Sequence, residues 1–192
     1  MIIIPPHIKG LIFDLDGTIA DTMPLHFQAW TKAMTNYGLI FTEEKFYAAA
    51  GITTLSIIET LACEQNKIVP AAEAAAMKER YFEELLVDVQ PITPVLKVIQ
   101  EFSGKLPMAV ATGGIRRLCI ETLRILGLNN QFQAVITADE APDGKTTPEI
   151  FLQAARLIGV NPELCCVFED GDLGLRAGQA AGMHVIDVRV YL

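Results

Sequence analysis

The amino-acid sequence predicts an α/β protein whose core is a parallel sheet, with a group of helices inserted after the first strand. Five short apolar runs end in polar or glycine-rich turns, and helical patterns separate the last four of them. A long helical interval without a clear strand follows the first run. Continuous apolar strands that alternate with helices are typical of a parallel sheet covered on both faces.

The predicted strands and helices follow one another regularly in the second half of the chain. The strands are expected at residues 10–13, 108–111, 134–137, 165–168 and 185–188. The helices between them are expected at residues 94–102, 115–126, 148–158 and 174–181. Gly127 and Gly159 follow two of these helices directly, where glycine commonly ends a helix.

The interval between Asp21 and about Pro91 predicts a small helical bundle. Aromatic and apolar residues recur there at helical spacing, namely Phe27, Trp30, Met34 and Tyr37. Thr42 is placed to cap a second helix, and residues 71–86 form an alanine-rich pattern. An interval of about seventy residues is longer than a crossover connection between two parallel strands needs to be. We therefore predict a core of residues 1–20 and 92–192, interrupted by a helical domain of residues 21–91.

Composition and charge exclude several classes of function. The chain has 192 residues and a formal net charge of −8, which argues against a nucleic-acid surface. No apolar run approaches the length that spans a membrane. The four cysteines show no CxxC spacing, so zinc and a disulfide framework are not expected. A cytoplasmic protein without nucleic-acid or membrane partners is the prediction.

Polar residues at the strand ends point to one reactive site. Ligands of open parallel sheets bind beyond the carboxyl ends of the strands. The residues that the first four strands deliver there are Asp14, Asp16, Thr112, Gly113, Lys145, Glu169 and Asp170. Each alone has a simpler interpretation as a turn, a helix cap or a solvated side chain. Their occurrence in order, at four successive strand ends, favours a shared site.

The residue types indicate phosphate chemistry with a hard metal ion. Crowded carboxylates repel one another, and carboxylate ligands without histidine or cysteine suit Mg²⁺. The i, i+2 spacing of Asp14 and Asp16 would let one carboxylate attack phosphorus while the other moves a proton. Thr112 and the amides of its glycine turn would donate to phosphate oxygens, and Lys145 would offset negative charge.

The sequence also resembles a known family of enzymes. Four stretches of the chain resemble, in order, the four motifs of haloacid-dehalogenase-like phosphatases. They are "DLDGTIADT", "ATGG", "GKTTPEIFL" and "VFEDGDLGLRAGQAAGM". The helical interval looks like the cap of the branch that contains beta-phosphoglucomutase. The C-terminal third looks closest to the bacterial fructose-1-phosphate and 6-phosphogluconate phosphatase type. The resemblance implies a Rossmann-like core with an inserted α-helical cap.

The resemblance implies a role for each matching residue. Asp14 would be the nucleophile that forms an aspartyl-phosphate, and Asp16 the general acid and base. Thr112, with Gly113 beside it, and Lys145 would hold the phosphoryl group, and His26 would lie near the substrate. Mg²⁺ would be held by Asp14, the backbone carbonyl of Asp16, Asp170 and, through water, Glu169. The expected function is a Mg²⁺-dependent phosphatase acting on a small phosphorylated metabolite, such as a sugar phosphate.

Two departures from the family pattern bear on this expectation. Thr146 stands where the family commonly has proline after the motif lysine. The cap segment 51–58 lacks the arginine with which the mutase holds a second phosphate, which favours hydrolysis over mutase chemistry. A sugar phosphate mutase is the alternative, and a non-catalytic phosphate binder is a third hypothesis. Lys78, in a charged stretch, is expected to be solvated.

Overall fold

The core of the protein is a parallel sheet. The computed structural model describes residues 2–192, without the side chain of Asp88. Within that range the chain forms one five-stranded sheet, in the spatial order β3-β2-β1-β4-β5. The strands are β1 (Gly10–Phe13), β2 (Met108–Ala111), β3 (Ala134–Ile136), β4 (Cys165–Glu169) and β5 (His184–Asp187). Every pairing is parallel, as the sequence predicts.

The helices divide into two groups. Four lie between β1 and β2, and we call them the helical insert: α1 (Met23–Asn36), α2 (Glu43–Ala48), α3 (Thr54–Glu64) and α4 (Ala71–Leu85). The others alternate with the strands: α5 (Thr93–Phe102), α6 (Arg116–Ile125), α7 (Glu149–Leu157) and α8 (Asp172–Ala180). In the part of the chain that the structure describes, none of these helices is both long and apolar enough to span a membrane.

The central strand β1 is buried on both faces because its side chains alternate between two cores. Leu11 and Phe13 belong to a cluster that also contains residues of α5 and α6, whereas Ile12 packs among residues of α7 and α8. Phe13 stacks on Phe168 of β4, with 4.5 Å between ring centroids. Apolar contacts on both faces fix β1, so the residues after Phe13 leave the sheet from a rigid position.

The helical insert has a hydrophobic cluster of its own. Trp30 and Met34 of α1 pack there with Phe46 of α2 and Ile58 of α3. The Thr42 side chain caps α2 by accepting a hydrogen bond from the Lys45 backbone N–H at 3.3 Å. This arrangement agrees with the predicted bundle, and the exact division of the chain at residues 21 and 91 stays a prediction.

Small differences from the predicted bounds have local causes. β5 begins at His184, one residue earlier than expected, because His184 pairs in register with Cys166 of β4. α8 begins at Asp172 instead of Gly174. An acidic residue in the first turn of a helix interacts favourably with the helix dipole. The helix therefore extends closer to β4 than the run of small residues predicts.

Candidate active site

The carboxyl ends of the strands and the helical insert enclose one cavity. Its volume is about 110 Å³. All eight site residues predicted from the sequence line it, namely Asp14, Asp16, His26, Thr112, Gly113, Lys145, Glu169 and Asp170. The insert supplies the opposite wall, from Met23 of α1 to Phe82 of α4. The site therefore lies between the sheet and the helical insert.

Lys145 is the buried cation at the base of the cavity. Its Nζ lies 2.5 Å from Asp14 Oδ1 and 2.6 Å from Glu169 Oε2. Burial alone would lower the pKa of Lys145, but the two carboxylates raise it above its ordinary value. The side chain therefore keeps its charge, which ties the end of β1 to the end of β4.

Three carboxylates crowd together next to this lysine. Oxygen atoms of Asp14, Glu169 and Asp170 all lie within 4.8 Å of one another. Burial, followed by the charge of Glu169, raises the pKa of Asp14 well above its ordinary value and raises the pKa of Asp170 to about 6. One lysine does not neutralise three acids, so this donor set fits a divalent cation that binds oxygen ligands.

The Asp16 carboxylate faces a different set of partners. Its Oδ1 accepts a hydrogen bond from Thr22 Oγ1 at 2.6 Å and lies 3.0 Å from His26 Nε2, while Thr112 Oγ1 donates to Oδ2 at 3.5 Å. Burial opposes ionisation of Asp16, but His26 and Thr22 outweigh it, so its pKa falls below the ordinary value. The carboxylate is thus held apart from the three crowded acids and points toward the insert.

His26 is part of a buried chain of contacts that the sequence only partly predicts. Its Nδ1 lies 3.0 Å from Lys78 Nζ, and its ring stacks on Phe82 at 3.7 Å between centroids. Burial and then the Lys78 charge lower the pKa of His26. The neutral ring therefore accepts from Lys78 at Nδ1 and donates from Nε2 to Asp16.

The expectation that Lys78 is solvated is wrong. Its side chain is only 4% exposed, and it lies on the cavity wall between His26 and Glu79. In α4, Ala74 and Phe82 lie four residues before and after Lys78, and the structure buries both of them. That spacing places Lys78 on the buried face of the helix.

A loop of the insert touches the core directly above Lys145. The backbone N–H of Lys145 donates to the Gly51 carbonyl at 3.2 Å. Gly144 has a φ of +57°, and a Cβ there would lie 2.7 Å from the same carbonyl oxygen. Gly113 also faces Gly51, at a distance that a Cβ would tolerate. Glycine at position 144 is therefore required for the insert and the core to come this close.

Comparisons with known proteins agree with this geometry. The sequence profile described as haloacid dehalogenase-like hydrolase matches residues 11–188. The chain belongs to this family. The match runs from β1 to the end of the sheet and so includes both the core strands and the helical insert. The predictions of a hydrolase of this family, and of its α/β fold, are confirmed.

Two curated relatives of this haloacid dehalogenase-like hydrolase act on phosphorylated carbohydrates by name. The chain is 40% identical to the fructose-1-phosphate phosphatase YqaB of Escherichia coli, over 94% of this chain and 96% of the relative. It is 30% identical to a phosphorylated carbohydrates phosphatase of Thermotoga maritima, over 93% of this chain and 83% of the relative. The beta-phosphoglucomutase of Clostridium difficile superposes with a TM-score of 0.83 at 26% identity, over 93% and 83% of the two chains.

Gly174 gives this haloacid dehalogenase-like hydrolase the space to place Glu169. A Cβ on Gly174 would lie 2.1 Å from Glu169 Oε2, far inside van der Waals contact. Glu169 is otherwise held by the backbone N–H groups of Asp170 and Gly171, at 3.2 and 3.0 Å, and by Lys145. A residue larger than glycine at position 174 must therefore displace the carboxylate that holds Lys145.

We expect Gly174→Ala to lower both activity and stability. The displaced Glu169 would leave Lys145 with one carboxylate partner, at a cost of about 2 kcal/mol in unfolding free energy. Urea unfolding followed by circular dichroism measures that loss. Gln179→Ala, on the exposed side of the same helix, is the matched control. Equal stability of the Gly174→Ala variant and the unmodified enzyme would contradict the prediction.

Proposed function

We propose that this enzyme is a Mg²⁺-dependent phosphatase that hydrolyses a sugar phosphate through an aspartyl-phosphate on Asp14. One observation carries the proposal: the Asp14 carboxylate lies at the base of the cavity, paired with Lys145 and adjacent to Glu169 and Asp170. A buried carboxylate beside a fixed cation suits a nucleophile that attacks a phosphoryl group. The carbohydrate phosphatases among its relatives support the substrate class.

The first half of the reaction transfers the phosphoryl group to the enzyme. An oxygen of Asp14 forms a bond to phosphorus while the bond from phosphorus to the sugar oxygen breaks. In this step Asp16 carries the proton that the second half of the reaction supplies, and it gives that proton to the sugar oxygen, so that the sugar leaves as a neutral alcohol. The Thr112 hydroxyl and the backbone N–H of Gly113 donate to phosphoryl oxygens, and Lys145 offsets their charge.

The second half regenerates Asp14. Asp16, now ionised, takes a proton from a water molecule that attacks phosphorus, and the bond from phosphorus to the Asp14 oxygen breaks. The contacts from Thr22 and His26 that lower the pKa of Asp16 keep the carboxylate in its ionised form, which is the form that this step requires. His26 acts by orienting the Asp16 carboxylate through its Nε2–H.

The metal would be held by residues at the ends of β1 and β4. These are the Asp14 and Asp170 carboxylates and the backbone carbonyl of Asp16, with Glu169 acting through water because Lys145 already occupies its Oε2. When bound, Mg²⁺ neutralises part of the charge that the acids and the phosphate bring together. Residues 21–91 would serve as a cap that excludes bulk water during transfer.

A sugar phosphate mutase is the alternative, favoured by the structural likeness to a beta-phosphoglucomutase. Mutase chemistry requires the cap to hold a second phosphate. Among the described residues that line the cavity, none is an arginine. Lys78, the cation that the insert contributes, is already paired with Glu79. These contacts favour hydrolysis.

The test is phosphate release from fructose 1-phosphate, 6-phosphogluconate and beta-glucose 1-phosphate, each with Mg²⁺ and with EDTA. We expect release with Mg²⁺ and at least about 10²-fold less with EDTA, because the three acids then repel the substrate phosphate. Beta-glucose 1-phosphate is also assayed for glucose 6-phosphate. Formation of glucose 6-phosphate without phosphate release would identify a mutase. Phosphate release at the same rate with EDTA as with Mg²⁺ would contradict the proposed metal dependence.

A further inference from the structure

Glu79 is a carboxylate on the cavity wall that the proposed reaction does not use. It lies in α4 with 12% of its side chain exposed. Thr54 Oγ1 donates to its Oε1 at 3.0 Å, and Lys78 Nζ lies 3.2 Å from Oε1 and 3.4 Å from Oε2. Most of the acceptor capacity at Oε2 is therefore left for a group that enters the cavity.

The charged groups that face the cavity are divided unequally between its two sides. The core contributes Lys145 and the acids Asp14, Asp16, Glu169 and Asp170, while the lining residues of α6 carry no charge. Within residues 2–192, the side chains of the insert that line the cavity and carry charge are Lys78 and Glu79, since His26 Nδ1 accepts a hydrogen bond from Lys78 Nζ at 3.0 Å and so carries no proton. The wall opposite the phosphate site therefore has a net charge of zero.

We propose that Glu79 determines specificity by selecting a neutral, hydroxylated leaving group. This inference rests on the proposed phosphatase function and deepens it. A carboxylate held by Thr54 and Lys78 accepts hydrogen bonds from sugar hydroxyl groups, which are donors. A second anionic group on the substrate would lose its hydration next to this carboxylate. Lys78 would not offset that cost, because its positive charge is already balanced by Glu79.

Two substrates distinguish a neutral leaving group from an anionic one. Fructose 1-phosphate releases an uncharged alcohol, whereas 6-phosphogluconate releases one that carries a carboxylate. The quantity to measure is the ratio of kcat/KM for 6-phosphogluconate to kcat/KM for fructose 1-phosphate. This ratio cancels losses that affect both substrates equally, such as a small change in the amount of folded enzyme.

Glu79→Gln removes the charge while keeping the shape and an acceptor for Thr54. It leaves the Lys78 charge uncompensated, so the net charge of the wall becomes positive. We expect the ratio to rise about tenfold. Glu79→Asp keeps the charge and should keep the ratio within about twofold, even where both rates fall. Glu84→Gln, on an exposed part of the same helix, is the matched control and should change neither rate.

Each outcome decides the question. A folded Glu79→Gln enzyme with an unchanged ratio would overturn the inference while leaving the phosphatase proposal in place. Glu79→Ala is the second neutral variant, for use if Glu79→Gln does not fold. If the unmodified enzyme releases phosphate from neither compound, nor from beta-glucose 1-phosphate, the proposed function fails. The role of Glu79 is then tested by calorimetry, with each compound titrated into Asp14→Asn and into the Asp14→Asn, Glu79→Gln double variant. The readout is the ratio of the affinity for 6-phosphogluconate to the affinity for fructose 1-phosphate. If neither compound binds, the proposed role of Glu79 is overturned.

Discussion

Asp14→Asn is expected to reduce phosphate release by at least about 10⁴-fold while leaving the fold intact, because the amide is a poor nucleophile. The substitution keeps the size of the side chain at the end of β1. It removes one of the three acids that crowd the site, and Lys145 keeps Glu169 as its partner. Single-turnover assays with fructose 1-phosphate, together with circular dichroism, measure the two effects separately.

Asp172→Asn is the matched control for this experiment. Asp172 lies in the first turn of α8, close in sequence to the site, but it is exposed and pairs with Arg189 at 2.9 Å. The loss of an exposed ion pair costs little, so activity should stay within about twofold of the unmodified enzyme. Appreciable turnover by Asp14→Asn would remove Asp14 from the role of nucleophile.

Lys145→Met is expected to lower the unfolding free energy by about 3 kcal/mol, since removing one member of a buried ion pair leaves the partner charges uncompensated. Here two partners are affected, Asp14 and Glu169. Activity should fall by at least about 10³-fold, because no cation then offsets the charge of the transferring phosphoryl group. Urea unfolding in metal-free buffer and phosphate release at saturating Mg²⁺ measure these losses.

The stability deficit of Lys145→Met should depend on pH in a defined direction. Burial and Glu169 raise the pKa of Asp14 in the native state, and the Lys145 charge partly opposes them, so native Lys145→Met retains a proton on Asp14 up to a higher pH than the unmodified protein does. The deficit is therefore smallest at low pH, where Asp14 is protonated with or without Lys145, and grows as the pH rises through the raised native pKa of Asp14. Lys105→Met, at an exposed loop lysine, should show no such trend. A deficit independent of pH would contradict this account.

Much of the core could be predicted from the sequence because its signals are local. The apolar run of β1 ends at Phe13 and is followed at once by Asp14 and Asp16. In a parallel sheet that order alone places both acids at the ligand-binding edge. The same reasoning places Thr112 after β2 and Asp170 after β4, and the structure puts all four residues around one cavity.

The wall formed by the insert could not be predicted in the same way. Whether Lys78 and Glu79 face solvent or the cavity depends on how α4 rotates against α1, which is decided by packing between distant segments. The contact between Gly51 and Lys145 likewise joins residues 94 positions apart and leaves no periodic pattern in the sequence. Spacing identifies a buried face of a helix only after the partner of that face is known.

The hydrogen bond from the Lys145 backbone to the Gly51 carbonyl has a consequence for how the enzyme admits and releases ligands. Any movement that lifts the α2–α3 loop from the core must break this bond, and it must do so at the residue whose side chain holds Asp14. A group that fixes the Lys145 turn therefore favours the lowered loop, and by reciprocity the lowered loop favours that group. In the proposed reaction, phosphate binding at the base of the site and the position of the α2–α3 loop are therefore thermodynamically linked.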